Sequence, residues 1–156
     1  MENVHQHQLT ALSEIEISYR PKFRASLRPQ LSCSRDTNQL LRNQWDSNLI
    51  EYVEEFKMLL LNRANKVLGI VTVSKGGVAG TVCDPKVVFA AALKANASSI
   101  ILAHYHPSGN IKPSEADKDL TKKLREGGKF LEIVIADHLI LTAETYFSFA
   151  DNGMTY

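Results

Sequence analysis

Apolar residues in this chain come in short blocks parted by polar turns, and their period changes from block to block. Residues 14–19 (EIEISY) alternate polar with apolar, which suits a half-buried strand. Residues 20–35 (RPKFRASLRPQLSCSR) are basic, proline-bearing and aperiodic, the pattern of an extended connector. Ser34 or Asp36 can cap a short helix running to Trp45, with Leu40, Leu41 and Trp45 on one face. Two strongly apolar blocks follow, 55–61 (EFKMLLL) and 67–74 (VLGIVTVS). They predict two strands joined through a hairpin turn at 62–65, the second ended by Gly76-Gly77.

The second half carries more helix. Asp84-Pro85 pairs a favoured N-cap with a residue favoured at the first helical position. The body that follows, KVVFAAALKAN, is apolar nearly all round, so this helix is expected to be sandwiched within the fold. Residues 99–104 (SIILAH) predict a short buried strand. Residues 114–130 predict a polar helix with Ala116, Leu120 and Leu124 as its inner stripe. Residues 133–136 and 138–141 predict closing strands, followed by Tyr146-Phe147. Helices alternating with apolar strands indicate an α/β fold with a central mixed sheet flanked by helices.

Bulk properties narrow the picture. A length of 156 residues suits one domain with a real core. We divide the chain into an arm and connector at 1–33 and a domain at 34–156. A net charge of +1, without a dense Lys/Arg stripe, makes no electrostatic case for nucleic acid. The chain has no apolar run of about 18 residues, so no membrane span is expected. The start, MENVHQHQLT, lacks the form of a signal peptide. Cys33 and Cys83 are far apart and outside any CxxC spacing. They are expected to be reduced thiols in a cytoplasmic protein.

The candidate chemistry lies in His104-Tyr105-His106-Pro107-Ser108-Gly109 and Pro113-Ser114-Glu115-Ala116-Asp117. Side chains at i and i+2 of a strand share a face, with Cα atoms roughly 6.6 Å apart, so both imidazoles can reach one ion. Pro107 and Gly109 stop the strand, and a helix starting near Ser114 places Asp117 in its first turn. Strand end, loop and helix start then converge, offering His104, His106 and Asp117 as three ligands. Zinc held by three protein ligands keeps its fourth position for water, the layout of a catalytic site. The histidine pair alone is weak: five histidines in 156 residues give roughly 0.15 such pairs by chance. His5-Gln6-His7 has the same spacing, but Ile15 and Ser18 stand where Ser114 and Asp117 follow the other pair.

The spacing His104-x-His106-x7-Ser114-x2-Asp117 resembles the signature of the JAMM (MPN+/JAB) metalloproteases. The text ILAHYHPSGNIKPSEAD, with DHLI at 137–140 and YFSFAD at 146–151, is similar to the RadC-like branch over about residues 50–156. The resemblance implies a JAMM/MPN-type domain of cytidine-deaminase-like architecture. It implies one zinc per chain on His104, His106 and Asp117, and hydrolysis of peptide or isopeptide bonds in a protein or peptide substrate. It places a general-base glutamate at the start of the strand before the motif. Glu51, Glu54 and Glu55 stand there, with Glu55 matching best and Glu54 second. It gives Ser114 the tetrahedral oxyanion to stabilise. Relatives of this branch are often longer, with a helix-hairpin-helix DNA-binding region for which residues 1–50 are too short and too strand-like. Tyr105 stands where the branch often has Asn, and Asp84 where a His-Pro pair is common.

Other readings compete. Ser114-x-x-Asp117 is also a helix capping box. Ser108 reads as a turn residue bonded to its own backbone, His138 beside Asp137 as a core or edge histidine rather than half of a second acid–base pair, and Cys83 as packing rather than a ligand. Lys118, Lys122, Lys123 and Arg125 read as a solvated helix face. The second functional hypothesis is an accessory module in DNA repair or recombination in which zinc is structural. A zinc deaminase would need HxE and PCxxC, and neither occurs. Apolar edges would allow a homodimer.

Overall fold

The computed structural model describes residues 19–22, 24–46, 52–76 and 82–154. Most of the strand expected at 14–19, with the arm before it, lies outside the described residues. Among the described residues, five strands form one mixed sheet: β1 (Glu55–Leu61), β2 (Val67–Lys75), β3 (Ser99–Tyr105), β4 (Val134–Leu141) and β5 (Tyr146–Ser148), in the order β2-β1-β3-β4-β5. β1 runs antiparallel to both β2 and β3, β3 and β4 are parallel, and β5 returns antiparallel to β4. The described residues form three α-helices that cover the sheet: α1 (Ser34–Arg42), α2 (Pro85–Lys94) and α3 (Glu115–Phe130). The expected α/β class and mixed sheet are therefore observed.

Strand parity divides the core in two. Phe56, Met58, Leu60, Ile100 and Leu102 point to one face, where Val88 and Ala92 of α2 and Leu124 of α3 cover them. Leu59, Leu61, Ile101, Ala103 and Tyr105 point to the other, against Leu41 of α1 and Trp45 just beyond it. β1 and β3 are buried along their whole length. Burial on both faces explains why their text is a continuous apolar run rather than an alternation. The connector is docked but not extended throughout, since Ala25–Leu27 form a 3-10 turn: Gln30 bridges Lys66, and Val67 N–H donates to Pro29 O at 2.9 Å. The 62–65 turn closes as expected, with Asn65 in the left-handed region at φ 55° and Asn62 Oδ1 accepting from the N–H groups of Ala64 and Lys66.

α1 starts after Cys33 without a side-chain cap and ends at Arg42 rather than Trp45. Three further expectations change. α2 is capped by Asp84, whose side chain accepts from Lys86 N–H, but the helix is not sandwiched: Val87 is 43% and Leu93 54% exposed. The sheet covers one stripe only, so the remaining apolar residues meet solvent. The inner stripe of α3 is Thr121, Leu124 and Gly128, with Leu120 partly buried and Ala116 exposed. The two closing strands are one, β4, with an irregularity in its pairing to β3 between Ile100/Ile135 and Ile101/Asp137 that leaves Ala136 as the extra residue. A bulge reverses the parity of everything after it. Ile135 and His138 consequently share the α3 face, and Asp137 takes the opposite one, where it accepts hydrogen bonds from Ser148 Oγ, Ala150 N–H and His138 N–H.

Two outcomes follow from this packing. A Cβ at Gly128 would collide with the carbonyl oxygen of Ile133, in the turn where Gly128 O accepts from Ile133 N–H. Gly128→Ala is expected to cost about 1–3 kcal/mol as overpacking against backbone, read as a lower urea midpoint. Burial, aided by the charge of Asp84, pushes the Cys83 thiol up to about 12, whereas Cys33 is exposed. An aromatic disulfide reagent is expected to titrate Cys33 quickly and Cys83 only in denaturant, since the thiolate is the reactive form.

Candidate metal centre

β3 brings His104 to its end on the same face as Ile100 and Leu102. The ring is 1% exposed and lies parallel to Phe56, with centroids 5.6 Å apart. His106 lies just past β3, pinned by its own N–H to Leu141 O at 2.9 Å. The turn after it folds back through Gly109, whose N–H donates to His106 O and whose φ of 76° suits glycine. The two imidazoles converge, His104 Nε2 standing 2.8 Å from His106 Nε2. His106 Nδ1 is 2.6 Å from Asn110 O. A carbonyl only accepts, so Nδ1 carries a proton, and in a neutral ring the lone pair of Nε2 faces His104.

Asp117, in the first turn of α3, closes on the same point. Its Oδ1 is 3.2 Å from His104 Nε2, and its Oδ2 is 3.9 Å from His106 Nε2. Ser114 holds it there as a capping box: Ser114 N–H (2.8 Å) and Oγ–H (2.6 Å) donate to Oδ2, and Oγ accepts from Asp117 N–H. Burial alone would raise the Asp117 pKa. The facing His104 imidazole, then the two Ser114 donors, outweigh it and hold the carboxyl well below the usual carboxylate range. The capping reading of Ser114 and Asp117 is thus realised, and it leaves Oδ1 facing His104.

The two adjacent glutamates separate by strand parity. Glu54, fixed by Gly76 N–H to its carbonyl at 2.8 Å, shares the face of Phe56, and Phe56 pairs with His104 across the ladder. One ligand atom each from Glu54, His104 and His106 lies within 4.8 Å of the others, so these three could hold a metal ion. Glu55 points to the opposite face. There it is buried in ion pairs with Lys57 at 3.0 Å and Lys75 at 3.2 Å, and it is not brought to the histidines. Glu51 lies outside the described residues. Ser108 Oγ faces the N–H of Asn110 at 3.4 Å, a turn contact, and Cys83 packs against the core formed with α2.

Behind the histidines stand two residues that the sequence did not single out as part of the site. His138 Nε2 is 2.8 Å from His104 Nδ1, and His138 Nδ1 is 2.7 Å from Thr121 Oγ1. His138 is fully buried and stacked on Phe149 at 4.8 Å. Burial, then the nearby His104, holds its pKa well below the ordinary imidazole value. Thr121 is one helical turn beyond Asp117, a spacing that could have flagged it. His138 reaches this face only because of the bulge at Ala136, which no local pattern announces.

The donor set fits zinc. Two imidazole nitrogens and a carboxylate oxygen meet at one point, the His106 lone pair aims into it, and a further carboxylate stands beside it. A single electrophile between the two Nε2 atoms would relieve their close approach.

Comparison with known proteins gives a consistent result. A family model described as a RadC-like JAB domain matches residues 31–154. A UPF0758 protein of Flavobacterium johnsoniae is 48% identical over 101 residues, 65% of this chain and 44% of that protein. A UPF0758 protein of Clostridioides difficile is 32% identical over 161 aligned positions, 97% of this chain and 68% of that protein. The UPF0758 protein YfjY of Escherichia coli is 41% identical over 101 residues, 65% of this chain and 63% of that protein. The chain spans about half the length of several curated relatives that it matches.

Proposed function

Because this chain belongs to the RadC-like JAB domain family, we propose that it is a zinc-dependent hydrolase cleaving amide bonds, peptide or isopeptide, in a protein or peptide. The observation that carries the reading is the convergence of His104 Nε2, His106 Nε2 and Asp117 Oδ1 beside the Glu54 carboxylate. His104, His106 and Asp117 would hold one zinc per chain. Bound there, zinc would bring the pKa of a coordinated water to about 7 and polarise the scissile carbonyl.

The remaining roles fall to the chain itself. Glu54 is the general base: it takes a proton from the attacking water and hands it to the leaving amine. Glu55, paired with two lysines across the sheet, has no part in the chemistry. Ser114 does two things. Its N–H and hydroxyl orient Asp117, and the same hydroxyl turns to the oxyanion as negative charge grows on the substrate oxygen. Removing such a donor costs about 10²–10³-fold in kcat. Ser114→Ala is therefore expected to lower turnover in that range and also to weaken the start of α3 by about 1 kcal/mol, measured by single-turnover rates and thermal unfolding.

Digestion of a peptide library and of isopeptide-linked protein pairs, read by mass spectrometry, tests the proposal. Zinc-loaded protein is expected to cut, a chelator to stop it, and added zinc to restore it. A fully loaded, folded protein that cuts neither class of substrate would overturn the hydrolase reading. Duplex binding with a steep salt slope under the same conditions would then favour the accessory role in DNA repair, with zinc structural.

A further inference from the structure

The buried line behind the metal centre fixes the proton positions within it. Thr121 Oγ1 lies 2.6 Å from Asp117 O and 2.7 Å from His138 Nδ1. The hydroxyl has one proton and the carbonyl only accepts, so that proton goes to Asp117 O. Thr121 Oγ1 must then accept from His138, which places a proton on His138 Nδ1. An imidazolium at this position would be a charge buried between Phe149 and Phe56. In the neutral ring, Nε2 carries the lone pair. At 2.8 Å that lone pair accepts from His104 Nδ1, so a neutral His104 ring is bare at Nε2, the atom facing His106 and Asp117. With the opposite tautomer of His138, the proton on His104 would be driven to Nε2 and would block the ligand position.

We infer that His138 is a positioning residue for the metal centre: anchored by Thr121 to the backbone of Asp117, it keeps the His104 proton on Nδ1 and leaves Nε2 open to the ion. The line joins two ligands through one set of hydrogen bonds, from the His104 ring to the Asp117 backbone. A histidine ligand bonded through its second nitrogen is the general device that fixes tautomer and ring orientation at metal sites. Here the acceptor is another imidazole rather than a carboxylate, so no further charge is buried. The inference rests on the metal reading proposed above.

Two readouts separate the inference from that reading. His138→Phe keeps an aromatic ring against Phe149 and removes both nitrogens. Zinc affinity, measured by competition with a chromophoric chelator, is expected to fall about 10–100-fold. His138→Gln, whose amide oxygen can stand where Nε2 does, is expected to recover most of that loss. Nitrogen NMR of the zinc-free protein at roughly pH 8.5, above the imidazole range, is expected to show His104 protonated on Nδ1 in the wild type and on both nitrogens in exchange in His138→Phe. If His138→Phe does not fold, Thr121→Val, which removes the acceptor of the His138 proton, is expected to weaken zinc in the same direction. Unchanged zinc affinity in the folded variants, or a wild-type His104 protonated on Nε2, overturns the inference. Absence of zinc binding in the wild type overturns the metal reading instead, and the tautomer in zinc-free protein still decides the role of His138.

Discussion

Glu54→Gln is expected to lower amide hydrolysis by about 10²–10⁴-fold, the range of a lost general base, with one zinc per chain still bound. The adjacent change, Glu55→Gln, is expected to leave turnover near the wild type. It should instead lower stability by about 1.5–3 kcal/mol, because Glu55 balances the buried Lys57, whose ammonium also bonds Thr72 and lies 5.3 Å from the Trp45 ring. Neighbours in sequence thus divide into an activity phenotype and a stability phenotype. The division comes from parity: Glu54 shares the face of Phe56 and His104, and Glu55 that of Lys57 and Leu59. Single-turnover rates, metal content and urea unfolding of the two variants check it. A fast Glu54→Gln, or a slow and stable Glu55→Gln, would reverse the assignment.

Asp117→Ala is expected to cost more than about 100-fold in zinc affinity, since even the partners behind a ligand are worth about 10–100-fold. It also strips Ser114 N–H and Oγ–H of their acceptor and dissolves the capping box, at about 1 kcal/mol. The affinity loss serves to separate two ligand sets. The geometry brings together His104, His106 and Glu54 as well as His104, His106 and Asp117. If Asp117 is the third ligand, Asp117→Ala releases the metal and Glu54→Gln keeps it. If Glu54 is the third ligand, the two variants trade places. Equilibrium competition with a chelator of known affinity distinguishes them.

How much of this was written in the sequence depends on range. The spacing from His104 to Asp117 is local, and the strand end, turn and capped helix it predicts are the ones observed. The capping box was legible for the same reason, since Ser114 and Asp117 lie within one helical turn. The choice between Glu54 and Glu55 was not. It needs the register of β1 against β3, with Phe56 opposite His104, and register is set by the pairing of two strands far apart in the chain. His138 was harder still. A regular strand from Ile135 would have placed His138 on the face away from α3, and only the extra residue at Ala136 returns it under His104. The exposure of Val87 and Leu93 on α2 is a third case. Apolar text around a helix does not fix how many layers cover it, and here the sheet supplies one.

In the proposed centre, His104, His106 and Asp117 share one zinc while Glu54 stands outside its bonding shell. Anomalous diffraction at the zinc edge from crystals of the loaded wild-type protein tests it most directly. One peak per chain is expected, bonded at about 2.0–2.2 Å to both Nε2 atoms and Asp117 Oδ1, with the Glu54 carboxylate beyond bonding distance. A peak bonded to Glu54 in place of Asp117, or no peak between the two histidines, would contradict it.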